Sequence, residues 1–380
     1  MSTHPSLDAR SSGLPLRGTG VGLRPVLDLD GDRTVALHVE DGAGGPVTPD
    51  RLRRLTTVLA AAGLDALPLV VRCALGDVPR LPRPVDDRPR IALVGADGLL
   101  DHPSATTRRV EAARSRGWEL GLSGVAADPA SVAAVSIFEP ALVLLADGVD
   151  VDGVDALAVE TVRATSRLSQ TNQGAVLVDC PPDRHTDASA LGASLVLGAP
   201  WERVTEHTVP AGLTFELFLA PPRPSPGTGI HELAAQRYTP RRSRKPFLTA
   251  LSRHLEAEAE HSGPSTVVLA AFQRTRHITG PTVERYRRLT GTAALVVMAA
   301  RGLEGAPLPG VRSVDLPARD PLTREWVLVV LGPSHASLLS ARERPDQDPA
   351  LPEADREFDF VLSSDRDLAG HAARSLLTRL

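Results

Sequence analysis

The sequence predicts an α/β protein in two units, a barrel of alternating strands and helices over residues 21–220 and a smaller α/β domain with a mixed sheet over 247–380. Three observations carry this. Apolar strand runs alternate with helical stretches at roughly 30-residue spacing, the pattern of parallel α/β folds. The runs are continuously apolar, as in a sheet covered on both faces, and a first unit of about 200 residues suits a barrel better than an open sheet. In the second half several connections are too short for crossovers between parallel strands, so some pairing there must be antiparallel.

Residues 117–150, GWELGLSGVAADPASVAAVSIFEPALVLLADGVD, form the pivotal step. Two apolar strands flank a small-residue helix opened by Asp128-Pro129. A parallel barrel places its catalytic groups at the carboxyl ends of such strands. Here those ends carry Ser123, Gly124, Leu144 and Ala146, side chains ill suited to hold a metal or carry a proton.

Before this step, residues 23–29 (LRPVLDL) and 34–39 (TVALHV) read as a hairpin turned by Asp30-Gly31-Asp32. Thr48-Pro49-Asp50 caps a helix to about residue 62 with Leu52, Leu55, Val58 and Leu59 on one face. Strands LPLVVRCAL and IALVGAD follow, separated by a Pro/Arg loop, then an arginine-rich helix over 104–116. After the step come a helix over 154–170, strand GAVLVDC, a helical turn and strand SLVLGAP. Residues 1–20 read as a flexible N-terminus and 221–246 as a Pro/Arg linker, its basic cluster Arg241, Arg242, Arg244 and Lys245 solvated.

The second domain opens with a helix over 247–260, with Leu248, Leu251 and Leu255 as its apolar stripe and Glu256, Glu258 and Glu260 facing solvent. Strand STVVLAAFQ, a helix over 282–289, and strands AALVVMA, VRSVDL and EWVLVVLG follow. A short helix after Pro333, an acidic loop, strand EFDFVLS and a closing helix over 365–377 complete the chain, with Asp365 as N-cap.

Composition excludes several classes. An apolar fraction of 42%, no run of eighteen apolar residues and no basic, apolar N-terminal leader predict a cytoplasmic protein with no membrane role. A net charge of -4 gives no electrostatic case for nucleic-acid binding. Cys73 and Cys180, far apart and without CxxC spacing, form neither a disulfide framework nor a zinc site. His231-Glu232 lacks the second histidine of a zinc protease, Gly42 to Gly45 lacks the Lys-Ser/Thr of a phosphate loop, and no serine stands in a nucleophile elbow.

Taken in order, Pro25 to Leu29, LPLVV at 67–71, Gly117-Trp118, Asp128-Pro129, Pro140 to Val143 and Ala190 to Ala193 resemble an EAL-type cyclic-di-GMP phosphodiesterase domain over residues 23–204. The resemblance implies a TIM-type (β/α) barrel in which carboxylates and one amide hold two divalent metals and a lysine assists attack by water. It also implies where those groups should stand. The first glutamate falls at His38, the asparagine at Arg72, the next glutamate at Val94, the paired aspartates at Ser123 and Gly124, and the lysine at Leu144. The aspartate two residues on is Ala146, Asp179 keeps a late carboxylate, and Leu197 replaces a glutamine of the final strand. Lys245 is the only lysine and Asn172 the only asparagine, so no neighbour supplies either role. The barrel is thus expected to be degenerate, with no catalytic residues, no metal, no cofactor and no retained cyclic-di-GMP.

FLTALSRHLE, VVLAAFQRTRHIT, the block from Asp320 to Glu343 and REFDFVLSSDRDLAGHAARSLL resemble a DICT domain over 246–380, which implies signal reception. His277, Trp326, Ser334 and His335 are its candidate ligand-binding residues. The favoured reading is a non-catalytic signalling protein, its barrel a platform for a signalling partner or a second copy of the chain. A cyclic-di-GMP receptor without hydrolysis and an enzyme of unrecognised specificity stand as alternatives.

Overall fold

The computed structural model describes residues 14–15, 20–29, 33–61, 68–84, 90–147, 156–171, 174–200, 203–204, 229–303, 305, 308–348 and 350–380. The expected flexible N-terminus lies almost wholly outside these residues, as do Asn172 and the linker up to 228.

The first unit opens with β1 (Leu14–Pro15), β2 (Val21–Asp28) and β3 (Arg33–Asp41), then α1 (Pro49–Ala61), β4 (Leu69–Arg72), β5 (Arg90–Gly95) and α2 (Pro103–Arg114). It continues through β6 (Glu119–Val125), α3 (Pro129–Phe138), β7 (Leu142–Leu145), α4 (Ala156–Thr171), β8 (Ala175–Val178), α5 (His185–Ala190), β9 (Leu195–Leu197) and β10 (Arg203–Val204). Strands β2 to β9 close in sequence order into a barrel, while β1 and β10 pair separately. Only β2 runs against its neighbours: it pairs antiparallel with β3 and, at Val26↔Leu197, with β9, whereas β3 to β9 are parallel. The predicted barrel and its entry hairpin are both present.

Strand alternation sorts side chains into two layers. Val26, Val70, Ile91, Leu93, Leu142 and Leu177 fill the lumen, while Leu37, Val71, Ala92, Leu120 and Val143 face the helices with Leu52, Leu55 and Leu59 of α1. Gly121 is required inside, because a Cβ there would come within 2.7 Å of Ile91 and 3.0 Å of Leu93. Asp128 caps α3 as its sequence foretold, accepting from Ser131 N at 2.8 Å.

The second unit contains α6 (Ile230–Arg237), β11 (Arg241–Arg244), α7 (Lys245–His261), β12 (Val267–Arg274), α8 (Gly280–Leu289), β13 (Leu295–Arg301) and β14 (Val311–Asp315). It ends with β15 (Glu325–Leu331), β16 (Ala336–Glu343), β17 (Glu357–Ser363) and α9 (Arg366–Leu377). The sheet order is β11-β17-β16-β15-β12-β13-β14; β12, β13 and β14 are parallel and the remaining pairs antiparallel, the predicted mixed sheet. Helices α7 and α8 cover one face, and α6 and α9 the other.

Three expectations are corrected. No helix follows Pro333: Gly332 and His335 close a tight turn, with Gly332 N donating to His335 O at 2.8 Å, and β16 begins at once. ASLLSARE carries no decisive period of its own, and pairing with β15 and β17 on both edges makes it a strand. The part of 221–246 that is described is not open linker either. Ile230, His231, Leu233 and Ala234 bury one side of α6, and the arginines of β11 pair with β17, where charge suits a sheet edge. Glu256 is not solvent-facing but 2% exposed, because α8 packs Arg285 against it at 2.6 Å.

The units meet where α9 packs on α3. Eight of the ten α3 residues are buried, which explains a helix without a polar face. Glu139, its C-cap at φ 45°, pairs with Arg374 of α9 at 3.0 Å, each side chain 4% exposed, and Arg374 also donates to Ile137 O at 2.7 Å. Gly370 is obligatory beside them, since a Cβ would collide with the Glu139 carboxylate. Arg374→Met removes the ion-pair partner from a carboxylate that is 4% exposed, so urea denaturation should register a loss of about 3 kcal/mol. Arg374→Met with Glu139→Gln should recover part of the loss; equal stabilities of wild type and single variant would show that the pair contributes nothing.

Candidate functional site

Two places gather polar side chains. The first is the barrel mouth. Because β2 is antiparallel, its early residues stand where the parallel strands end, and Arg24 lies opposite His38. Its guanidinium grips Asp179, just past β8, through two bonds of 2.6 and 2.7 Å, and donates through Nε to Gly198 O at 2.9 Å. This fork ties β2 to the chain following β8 and β9 and raises the already high pKa of Arg24. Glu40, on the same face of β3 as His38, is held above the usual carboxylate range by burial, against the pull of Arg24 and Arg72. Leu144 and Leu197, 7% and 6% exposed, belong to the aliphatic cluster that fills the lumen.

His38, across from Arg24 on β3, is 1% exposed, and among the described residues neither ring nitrogen has a hydrogen-bond partner. Burial, then the charges of Arg24 and Arg72, lower its pKa from 6.5 to about 4, so it is neutral at pH 7. The sequence-based placement of Val94 at the mouth is corrected: Val94 belongs to the helix-facing core, and Gly95 takes the lumen position. Gly124, at φ 75°, forms a bulge at the end of β6 and bears no side chain to contribute. Arg24 and Glu40 were missed by motif matching, yet period-2 alternation from Val26 and His38 would have put both on the inner face. Among the described residues no three His, Cys, Asp or Glu side chains are grouped to hold a metal.

The second place is a cavity of about 370 Å³ at the carboxyl end of β12, between α7 and α8. Its wall on α7 is the stripe Lys245, Thr249, the neighbours Ser252 and Arg253, and Glu256, which fall on one face of a helix. Phe272 and Trp326, paired across β12 and β15, supply its aromatic part; Arg276, His277, Thr279, Thr282, Arg285 and Glu353 complete it. Its location, outside the carboxyl end of a parallel strand where the sheet changes direction, is where open α/β sheets bind ligands.

Four cations face two carboxylates there, and both carboxylates are engaged: Glu256 with Arg285, and Glu353 with Lys245 and, at 3.3 Å, with Arg276. His277 Nδ1 bonds Phe272 O at 2.8 Å, and burial lowers its pKa, leaving a neutral ring whose Nε2 accepts from Arg276 at 3.4 Å. Gln273 has φ 62° at the register shift of β12 and is 7% exposed. A left-handed glutamine is strained by an amount of order 1–3 kcal/mol, and strain of this kind concentrates at functional sites.

Of the four candidate residues, the structure brings His277 and Trp326 together in this cavity. Ser334 and His335 stand at the opposite end of β15, in the turn to β16, where Arg366 donates to Gly332 O and His335 O at 2.8 and 3.1 Å. Arg276, Arg285 and Gln273 went unremarked in the sequence. The run QRTRH after an apolar strand was the available signal; the strain at Gln273 had none.

Solved structures similar to the barrel half include Klebsiella pneumoniae BlrP1 in a manganese and cyclic-di-GMP complex at pH 6, at 14% identity and TM-score 0.42, covering 50% of this chain and 58% of that one. Others are the Xanthomonas citri FimX EAL domain with cyclic-di-GMP, at 14% identity and TM-score 0.38 over 48% of this chain and 86% of that one, and Vibrio cholerae LapD, S helix-GGDEF-EAL, bound to cyclic-di-GMP, at 13% and 0.38 over 47% and 52%. This chain thus spans just over half the length of BlrP1. The barrel assignment stands on its strand pairing, independently of these likenesses. No curated protein matches the chain. Residues 230–344 match the family model of DICT, described as a sensory domain in diguanylate cyclases and two-component systems. The chain therefore joins an eight-stranded barrel to an α/β unit of which residues 230–344 match the DICT sensory-domain model.

Proposed function

We propose that this chain is a non-catalytic signalling protein in which the DICT-family unit senses and the barrel, taken as residues 21–204, serves as the interaction platform for a signalling partner. The observation that carries this reading is the barrel mouth. Two divalent cations need a cage of hard oxygen ligands. The mouth instead offers an arginine fork spanning Arg24, Asp179 and Gly198 above an aliphatic layer of Leu144 and Leu197. Arg24 and Arg72 would repel cations, and Asp179 is committed to Arg24. The continuous packing of α9 on α3 supports communication between the units, because the closing helix of the sensor is also a wall of the seam. No helix among the described residues is long and apolar enough to cross a membrane, in keeping with the proposed cytoplasmic role.

The same two arginines favour a second reading, a cyclic-di-GMP receptor, since a guanidinium freed from Asp179 could meet a phosphate. Calorimetric titration with cyclic-di-GMP, with and without magnesium, beside a hydrolysis assay, separates the two. Neither heat nor turnover is expected. Saturable binding without turnover would replace the platform reading by the receptor one, and turnover would end both.

A structural rather than catalytic His38 carries its own signature. Its folded pKa of about 4 lies below the ordinary 6.5, so the unfolded chain binds the extra proton between those values and stability is lost as pH falls through them. The full effect is on the order of 3 kcal/mol. The stability difference between His38→Leu and wild type should therefore grow by that amount from pH 7 to pH 4 and stay flat above pH 7. A difference constant across the range would mean that the imidazole is not held neutral.

A further inference from the structure

We infer that the cavity between α7 and α8 binds a small planar anion, a single aromatic or heteroaromatic ring carrying a carboxylate or phosphate group. This inference rests on the sensory reading of the second unit and names the chemistry of its ligand. Four features of the cavity converge on that class.

The ring is called for by the aromatic wall. Phe272 and Trp326 are each held by an edge contact to a further ring, Phe272 to Tyr286 at 5.6 Å and Trp326 to Phe358 at 6.2 Å. Rings fixed in this way lose little entropy when a flat ligand packs against them. The negative charge is called for by the surplus of cations. Glu256 and Glu353 are occupied by Arg285, Lys245 and Arg276, while Arg253 makes no ion pair or hydrogen bond among the described residues.

Specific polar contacts are called for by Ser252 and Gln273. Ser252, 5% exposed, lines the cavity with a hydroxyl that has no hydrogen-bond partner among the described residues. A buried hydroxyl left unmatched is destabilising by about 1–3 kcal/mol, and a ligand heteroatom removes that penalty. Gln273 brings its side-chain amide to the same cavity from a strained backbone. Size sets the upper limit. At about 370 Å³ the cavity is near the small end of ligand pockets, which suits one ring system with its acidic group and not a cyclic dinucleotide.

The test titrates the full chain with phenyl phosphate, benzoate, benzyl alcohol and inorganic phosphate, following heat and tryptophan fluorescence. Saturable binding is expected for phenyl phosphate or benzoate, the stronger of the two telling phosphate from carboxylate, with benzyl alcohol and inorganic phosphate at least about tenfold weaker. Arg253→Ala should weaken the anion about tenfold. Gln273→Gly removes the amide while relieving the left-handed strain, so it should weaken binding in a protein at least as stable as wild type. Binding of neither ring anion, equal binding of benzyl alcohol, or equal binding of inorganic phosphate would overturn the inference. So would full affinity in both variants. Hydrogen exchange at α3 and α9 with the bound anion then tests sensing separately: protection unchanged there would leave the ligand site standing and remove the sensory reading.

Discussion

The seam between the units depends on one buried ion pair. Glu139 and Arg374 meet at 3.0 Å in a mostly apolar layer, with Arg114 bonded to Phe138 O beside them and Arg366 near enough to act on the Glu139 charge. A pair of this kind adds little net stability over an apolar alternative, because desolvating two charges consumes most of their attraction. What it supplies here is register. A guanidinium that meets both the Glu139 carboxylate and Ile137 O fixes α9 against the last turn of α3, and Gly370 leaves the space that the Glu139 carboxylate occupies. Consequences run both ways along the chain. α3 can be apolar on every side because α9 covers the face that solvent would otherwise wet, and α9 is buried along most of its length between α3 and the sheet.

The two polar places differ in how their hydrogen-bonding capacity is used. At the mouth Arg24 is consumed by Asp179 and Gly198, so the strongest charges there already satisfy one another. The remaining unpartnered group, His38, is sealed at 1% exposure and kept neutral by its surroundings. In the cavity under Trp326 the strong pairs lie at the walls, and groups with unused capacity border open space.

Much of the fold could be read from the residues. Each barrel strand announces itself as an apolar run, and the helix caps at Asp128 and Asp365 are explicit in sequence, the latter accepting from Leu368 N at 3.1 Å. Legibility failed where tertiary pairing outweighs local pattern. β16 is short, mixed in polarity and rich in Ser and Ala, and two neighbouring strands make it what it is. RRSR reads as solvated charge and becomes an edge strand because β17 needs a partner. Glu256 shares a helix end with the exposed Glu258 and the half-buried Glu260, and nothing local reveals that Arg285 of α8 will bury it. Sites were less legible still. Position relative to the strands named His277 and Trp326, along with Ser334 and His335 that lie elsewhere, but the cavity the first two share with Arg276, Arg285 and Gln273 is assembled from α7, α8, β12 and β15, elements whose proximity only the folded sheet order creates.

The backbone at Gln273 sharpens the contrast between the two places. Glycine would adopt φ 62° without strain, so a glutamine there keeps a destabilising conformation and brings a side-chain amide to the cavity. That strain falls at the end of the strand from which the cavity opens. A ligand heteroatom that bonds the Gln273 amide in a site shut off from water would shift the balance toward the occupied state. The inferred ligand site would thus draw on strain already present in the strand from which it opens.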